Sequence, residues 1–209
     1  MTTRTFTPEA PGFVLPYRVP EEGLSTRFRL SSSVPLANQR LRLFNVSKAK
    51  QGPIRETQVM EIVLSANNRL VIETSGFGPE AAARMREQNP DFPEVVRGPA
   101  VRPGDLEAGL DVTVGLQGRS LRMLVNGREL AGSTWLGVEP GEELKLSFGF
   151  PDAPPGADLQ PPIGWTVELP DEEQPEEPEE PTEPVLTEWQ QSIERRLARI
   201  EAKLGIVEE

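Results

Sequence analysis

Between Leu24 and Leu169 the apolar residues recur at every second position, the spacing of a strand with one buried and one wet face, and not at helical spacing. Leu24, Thr26, Phe28 and Leu30 alternate with Ser and Arg, and Arg40 to Val46 adds a second run. Met60, Ile62 and Leu64 precede Asn67-Asn68, and Leu70 and Ile72 follow it. Leu110, Val112, Val114 and Leu116 lead to a turn at Gly118-Arg119, then Leu121, Met123 and Val125 lead to Asn126-Gly127. That dipeptide is the strongest hairpin signal in the chain, because a type I′ turn needs positive φ at both central positions; Arg128-Glu129-Leu130 is its return strand. Leu144-Leu146-Phe148-Phe150 and Ile163-Trp165-Val167-Leu169 complete the set.

Eight or more short strands, each apolar on one side, predict an all-β fold: an antiparallel two-sheet jelly-roll sandwich over 24–169. Only Pro79 to Gln88, with proline in its first turn and an alanine run, reads as a helix inside this body. The stretch from Asn89 to Asp105, rich in Pro, Gly and Arg, reads as a long loop laid across an edge or mouth of the sandwich. Residues 1–23 form an arm in which Pro8, Pro11, Pro16 and Pro20 interrupt Phe6, Phe13, Val14, Leu15 and Tyr17. It packs either as an edge strand or against a neighbouring subunit.

The pattern changes after Leu169. Residues 170–184 hold eight acids, five prolines and no base, which predicts an extended, self-repelling linker. Over 185–209, Leu186, Ile193, Ile200 and Val207 recur every seven residues, with Gln190, Leu197 and Leu204 between them, as the d and a positions of a short coiled-coil helix. The string Arg196-Leu197-Ala198-Arg199-Ile200-Glu201 resembles the trimerisation motif of three-stranded parallel coiled coils. That resemblance implies that Arg196 pairs with Glu201 of the next chain. Leu186, Ile193, Arg196, Leu197, Ile200, Glu201 and Leu204 are therefore the candidate oligomerisation residues of a homotrimer, with another oligomer, a partner helix or docking on its own domain as alternatives.

Composition removes whole classes of chemistry. The 209 residues include no His and no Cys. This excludes Ser-His-Asp and Cys-His catalysis, zinc fingers, haem ligation and disulfide frameworks. The net charge of −11 is concentrated in the linker, so residues 1–169 carry 20 acids against 18 bases and offer no overall basic footprint for nucleic acid. No stretch approaches the ~18 apolar residues of a membrane span, and no apolar region follows Met1, so neither a span nor an export signal is expected.

The order of Arg27-Phe28-Arg29-Leu30, then Met60 to Leu64 turning into Leu70-Val71-Ile72, then Leu121 to Leu130 through Asn126-Gly127, resembles the concanavalin A-like jelly roll of laminin-G-type and lectin domains. The resemblance implies a carbohydrate-binding sandwich. It departs from laminin-G domains in lacking their Trp-His pair, Leu110-Asp111 standing near the place. The Glu-x-Asp-x-(x)-Glu strand of the superfamily's glycosidases is also missing, so no enzyme activity is expected. Asp105, Asp111, Asp152 and Asp158 are too scattered for a calcium loop, and neither metal nor cofactor is called for. Trp135 sits between strands, as edge packing or as an aromatic platform for a ligand, whereas Trp165 is in phase with the core. Asn45-Val46-Ser47 matches a glycosylation acceptor, read here as a chance match.

A lectin-like sandwich, an acidic spacer and a trimer-type coil without an export signal resemble the virion appendage proteins of tailed bacteriophages. The implied role is a trimeric fibre or decoration protein of the virion, with other virion proteins of capsid or tail and a cell-surface glycan as partners. The alternative is a cellular lectin-like carbohydrate- or protein-binding module, tethered by its coil to a larger assembly in the bacterial cytoplasm or at the cell surface by a signal-independent route.

Overall fold

The computed structural model describes residues 1–36, 38–48, 57–74, 79–90, 92–93, 95–154 and 157–170. The acidic linker beyond Pro170 and the heptad segment, with Leu186, Ile193, Arg196, Leu197, Ile200, Glu201 and Leu204, lie outside the described residues. In chain order the elements are β1 (Thr2–Thr5), β2 (Gly12–Arg18), β3 (Leu24–Ser32), β4 (Arg40–Lys48), β5 (Thr57–Leu64), β6 (Arg69–Glu73), α1 (Pro79–Gln88), β7 (Val96–Ala100), α2 (Pro103–Ala108), β8 (Leu110–Val125), β9 (Arg128–Val138), β10 (Glu143–Gly149), β11 (Leu159–Gln160) and β12 (Trp165–Leu169).

Two sheets result, antiparallel but for one short strand. The smaller runs β1-β12-β3-β8-β9. The larger runs β2-β10-β4-β5-β6-β7, with β11 lying parallel to the start of β4. β8 doubles back where the sequence expects a turn. Gly118 takes φ 55°, the Asn126 N–H donates to the Asp111 carbonyl at 2.9 Å, and the Asp111 N–H donates to Asn126 Oδ1 at 2.8 Å. The first half of β8 pairs with β3 and the second with β9. At the next turn Asn126 and Gly127 both hold positive φ, 48° and 77°, as a type I′ hairpin requires.

The N-terminal arm supplies an edge strand to each sheet: β1 pairs with β12, and β2 pairs with β10. Pro16 is tolerated within β2 because an edge strand need not donate on its free side. The expected loop from Asn89 to Asp105 is corrected. Val96–Ala100 is β7, the far edge strand of the larger sheet, and Pro103–Ala108 is a second short helix. Proline and glycine within Val-Arg-Gly-Pro-Ala mask a strand that needs hydrogen bonds on one side only. In α2 the Arg102 N–H donates to Asp105 Oδ2 at 2.8 Å, so Asp105 closes a helix start.

The core is the seam between the sheets. At its centre Phe28 from one sheet meets Phe44 and Phe148 from the other, with ring centroids 5.0–5.2 Å apart, and Phe13 stacks on Phe148 at 5.1 Å. Leu110, Val112, Val114 and Leu116 of β8 and Leu144 and Leu146 of β10 extend it on either side, and Trp165 is buried as expected. Each aromatic pair adds about 0.5–1.5 kcal/mol beyond the area it buries. Phe148 touches three other rings and is fully buried, so Phe148→Ala should cost about 3–5 kcal/mol. Urea unfolding followed by tryptophan fluorescence measures this as a drop in midpoint at unchanged slope.

Candidate functional site

Sheet register aligns polar residues in rows across the outer face of the larger sheet. Ser147 of β10 stands beside Asn45 of β4, Asn45 beside Glu61 of β5, and Glu61 beside Glu73 of β6. The next row runs Lys145, Ser47, Gln58. Asn45, Ser47, Glu61, Glu73 and Ser147 are all buried, which is unusual for polar side chains on a sheet face turned away from the core.

Strict alternation would not assemble this set. In β4 Leu41 and Phe44 both face the core, although they are three positions apart, because Leu43 is an extra residue opposite β5. That bulge puts Arg42 on the outer face with Asn45 and Ser47 instead of beside Phe44. In β5 the extra residue is Val59, between Met60 opposite Val46 and Gln58 opposite Ser47, and it turns Gln58 outward in the same way. A third break follows β10. Gly149 takes φ 71°, and a Cβ there would lie 2.5 Å from the Pro11 carbonyl oxygen and 2.9 Å from the Phe6 ring. Only glycine fits. Phe150, expected in the core run after Phe148, is redirected to the outer face, where the Arg42 guanidinium lies 4.6 Å from its ring centroid.

Arg42, Asn45, Ser47, Gln58, Ser147, Phe150, Pro151 and Asp152 line a pocket of about 150 Å³. Four buried atoms in it have no hydrogen-bond partner: Arg42 Nε, Asn45 Oδ1, Ser47 Oγ and Gln58 Nε2. Arg42 Nε lies 3.1 Å from Glu61 Oε2, close enough for an ion pair but out of line for a hydrogen bond. A buried polar atom without a partner costs about 1–3 kcal/mol, so four around one cavity mark a place where water or a ligand supplies the missing bonds.

Charges flank the pocket in a chain. Arg40 donates to Asp158 Oδ2 at 2.6 Å and to Glu73 Oε1 at 2.9 Å; Glu73 is hydrogen-bonded to Glu61, and Glu61 pairs with Arg42. β11 holds Asp158 in place by pairing Leu159 with Arg40. Burial works against the charge of Arg40, but Asp158 and Glu73 outweigh it and raise its pKa. For Arg42 burial wins over the fields of Glu61 and Asp152, and its pKa is lowered. Burial and the neighbouring Glu61 carboxylate push Glu73 up to about 7 against the pull of Arg40.

Sequence reasoning noted Asn45 only within the glycosylation match. The structure buries it in the polar row, where no glycosylating enzyme reaches it. Asp152 lines the pocket and Asp158 flanks it, whereas Asp105 and Asp111 lie elsewhere; among the described residues no three His, Cys, Asp or Glu side chains converge as metal ligands. Trp135 is not in this pocket. It stands on a wide bulge of β9, residues 134–137 opposite Gly118–Ser120, half-buried against Phe92 at 5.0 Å with Arg119 above its ring at 5.6 Å. Its backbone N–H donates to the Thr74 carbonyl at 2.9 Å, tying the edge of the smaller sheet to the end of β6. No helix among the described residues is long and apolar enough to cross a membrane.

No family model matches the chain, and no curated protein sequence does. Among solved structures it is similar to a Trypanosoma rangeli sialidase in complex with sialic acid, at 15% identity and TM-score 0.44 over 68% of this chain and 19% of that one. It is similar to the Caenorhabditis elegans galectin LEC-6, at 16% identity and TM-score 0.41 over 79% and 94% of the two chains. The CBM40 of a Ruminococcus gnavus IT-sialidase bound to α2,3-sialyllactose gives 13% identity and TM-score 0.39 over 73% and 79%. The chain thus spans about a fifth of the sialidase. All three TM-scores lie below 0.5, so function is read from this chain's own residues.

The Glu73 carboxyl gives the fold a pH signature. It holds its proton up to about pH 7 when folded, against an ordinary glutamate value of 4.5. Its stabilising contribution is therefore complete below about pH 4.5 and is lost as pH rises through 7. The full loss is about 3 kcal/mol. Thermal unfolding should show Tm falling between pH 5 and pH 8, and Glu73→Gln should remove most of that slope.

Proposed function

We propose that the sandwich is a non-catalytic saccharide-binding domain whose site is the pocket under Phe150. The unsatisfied quartet carries this reading. Arg42 Nε and Gln58 Nε2 can only donate, Asn45 Oδ1 can only accept, and Ser47 Oγ can do either. A ligand that answers all four must offer donors and acceptors close together without net charge, which is the chemistry of vicinal hydroxyls. Phe150 adds an apolar wall for ring C–H groups, and 150 Å³ suits one small ring.

The arrangement of Glu61 and Glu73 beside the pocket supports binding rather than hydrolysis. Glycoside hydrolysis needs two of them about 5–10 Å apart with the scissile bond between. Glu61 and Glu73 are directly opposed, in hydrogen-bonding contact with each other and each held by an arginine, so no sugar fits between them. In its full form the reading is a trimeric virion appendage. Residues 186–204 join three sandwiches, the acidic linker spaces them, and each sandwich presents its pocket to a host-surface glycan. The heptad spacing and the string Arg196 to Glu201 support the trimer.

Asn45→Ala tests the site cleanly, because Asn45 Oδ1 has no protein partner to lose. The variant should keep its Tm within a few degrees of the parent while retention on a glycan array falls about tenfold or more. An array on which the full chain retains no glycan overturns the reading. Sedimentation equilibrium tests the assembly: the full chain should run as a trimer and a chain shortened to end at Leu169 as a monomer. A full chain that runs as a monomer removes the trimer.

A further inference from the structure

The same outer face carries a second, larger recess. It lies between α1 and the β6–β7 edge, has a volume of about 680 Å³, and is lined by Ser65, Asn67, Arg69, Val71, Ala83, Arg86, Val95 and Arg97. Three of these side chains are guanidinium groups, and none of the described lining residues is acidic. Arg69 is preset by donating to the Gly98 carbonyl at 3.1 Å. Arg86 and Arg97 form no ion pair with any described residue, whereas Arg40, Arg42 and Arg122 each hold a carboxylate.

Three cations lining one recess repel one another, and an anion bound among them relieves that repulsion. A guanidinium fork matches a carboxylate, sulfate or phosphate oxygen pair, and hydrogen bonds of this kind are about twice as strong as neutral ones. The chain's overall negative charge does not oppose this, because most of it lies in residues 170–184 and exposed charges are screened beyond about 8 Å.

Register places the recess relative to the polar pocket. Arg42 stands beside Val63, Val63 beside Val71, and Val71 beside Arg97, so one row runs from the pocket on β4 to the recess on β7. Three strand spacings separate the two arginines, about 14 Å. A few linked sugar rings cover that distance. On that row Val71 is half-buried and apolar and suits a ring face, whereas Val63 is fully buried beneath the surface.

We propose that the Arg69–Arg86–Arg97 recess binds the anionic group, carboxylate or sulfate, of an acidic polysaccharide, while a ring farther along the same polymer occupies the pocket at Asn45. This rests on the saccharide reading and adds a charge requirement to it. A neutral glycan fills the pocket and leaves the recess unused, so the acidic polymer binds more tightly.

Affinity electrophoresis of the full chain through gels containing dextran, dextran sulfate, alginate or a single-stranded oligothymidylate tests the assignment. Retardation should be strongest with alginate if the group is a carboxylate and with dextran sulfate if it is a sulfate, and weak with dextran. Arg86→Gln combined with Arg97→Gln should weaken the preferred acidic polymer about tenfold or more at unchanged Tm. Arg122→Gln, which alters a cation on the smaller sheet, should leave retardation at the parental level. Equal retardation by dextran and both acidic polymers overturns the anionic recess while sparing the saccharide reading. Oligothymidylate retarding as strongly as the acidic polysaccharides, or a double variant that behaves like the parent, also overturns the recess. No retardation by any polysaccharide here, together with an empty glycan array, overturns both.

Discussion

A β-strand turns alternate side chains to opposite faces, and that constraint sets both the core and the site of this protein. Where alternation is unbroken, as in Leu110 to Leu116 or Leu144 to Phe148, it builds the seam between the sheets. Where it is broken, at Leu43, Val59 and Gly149, it builds the pocket. Each break moves one residue, Arg42, Gln58 or Phe150, to the face where regular alternation already puts Asn45, Ser47 and Ser147. One extra backbone residue is a small perturbation beside a core of this extent, so the sandwich can carry three within reach of one another. Bulges increase local twist and re-aim side chains, which is what a pocket on a sheet face requires.

The break at Leu43 would be unstable without compensation, because it brings the Arg42 charge to a largely buried place. An isolated buried ion neutralises itself or finds a partner. Here four carboxylates and two arginines form a line from Asp158 through Arg40, Glu73, Glu61 and Arg42 to Asp152. Fully ionised, the line carries two more negative than positive charges, and its most buried carboxyl answers by holding its proton to about pH 7. Such a network adds little net stability over a hydrophobic replacement, but each member is expensive to remove alone. Its structural effect is to hold Arg42 at the pocket wall through Glu61, with Nε left without a hydrogen bond.

The strands were legible because their signal is repeated. Alternation in each run, with Asn126-Gly127 between two of them, suffices for a two-sheet sandwich, and the strands of the Leu24 to Leu169 body form where that pattern places them. β7 and α2 were not legible, since Gly98, Pro99 and Pro103 are loop formers that an edge strand and a first helical turn both accept. The N-terminal arm was open between two packings, and its edge pairing depends on β10 and β12, more than 120 residues away. The pocket was missed for a sharper reason. Arg-Leu-Arg-Leu-Phe-Asn-Val-Ser contains two alternating runs out of phase by one position, Leu41 and Leu43 and then Phe44 and Val46. That phase slip was visible in the sequence. Read as a bulge, it places Arg42, Asn45 and Ser47 on one face.

The size of the pocket bears on how the protein could act. A ring of about twelve heavy atoms at about 0.3 kcal/mol each yields about 4 kcal/mol, the scale of a millimolar Kd. One such site on one sandwich would hold little at physiological concentrations. Two additions raise the affinity without enlarging the pocket. Contact along the outer face toward Arg97 adds further rings and a charge within the same chain, at the cost of ordering a longer ligand. Display of three sandwiches on one coil, as proposed above, would add no contact, but would turn later binding events into intramolecular ones worth about 10²–10⁴, provided the linkers span the ligand spacing. The two differ in what they demand of the target. The first selects the chemistry of a single glycan chain, and the second selects the density of chains on a surface. A small polar pocket, an acidic run over 170–184 and a heptad spacing beyond it in one sequence suit, on the proposed reading, a protein that uses both.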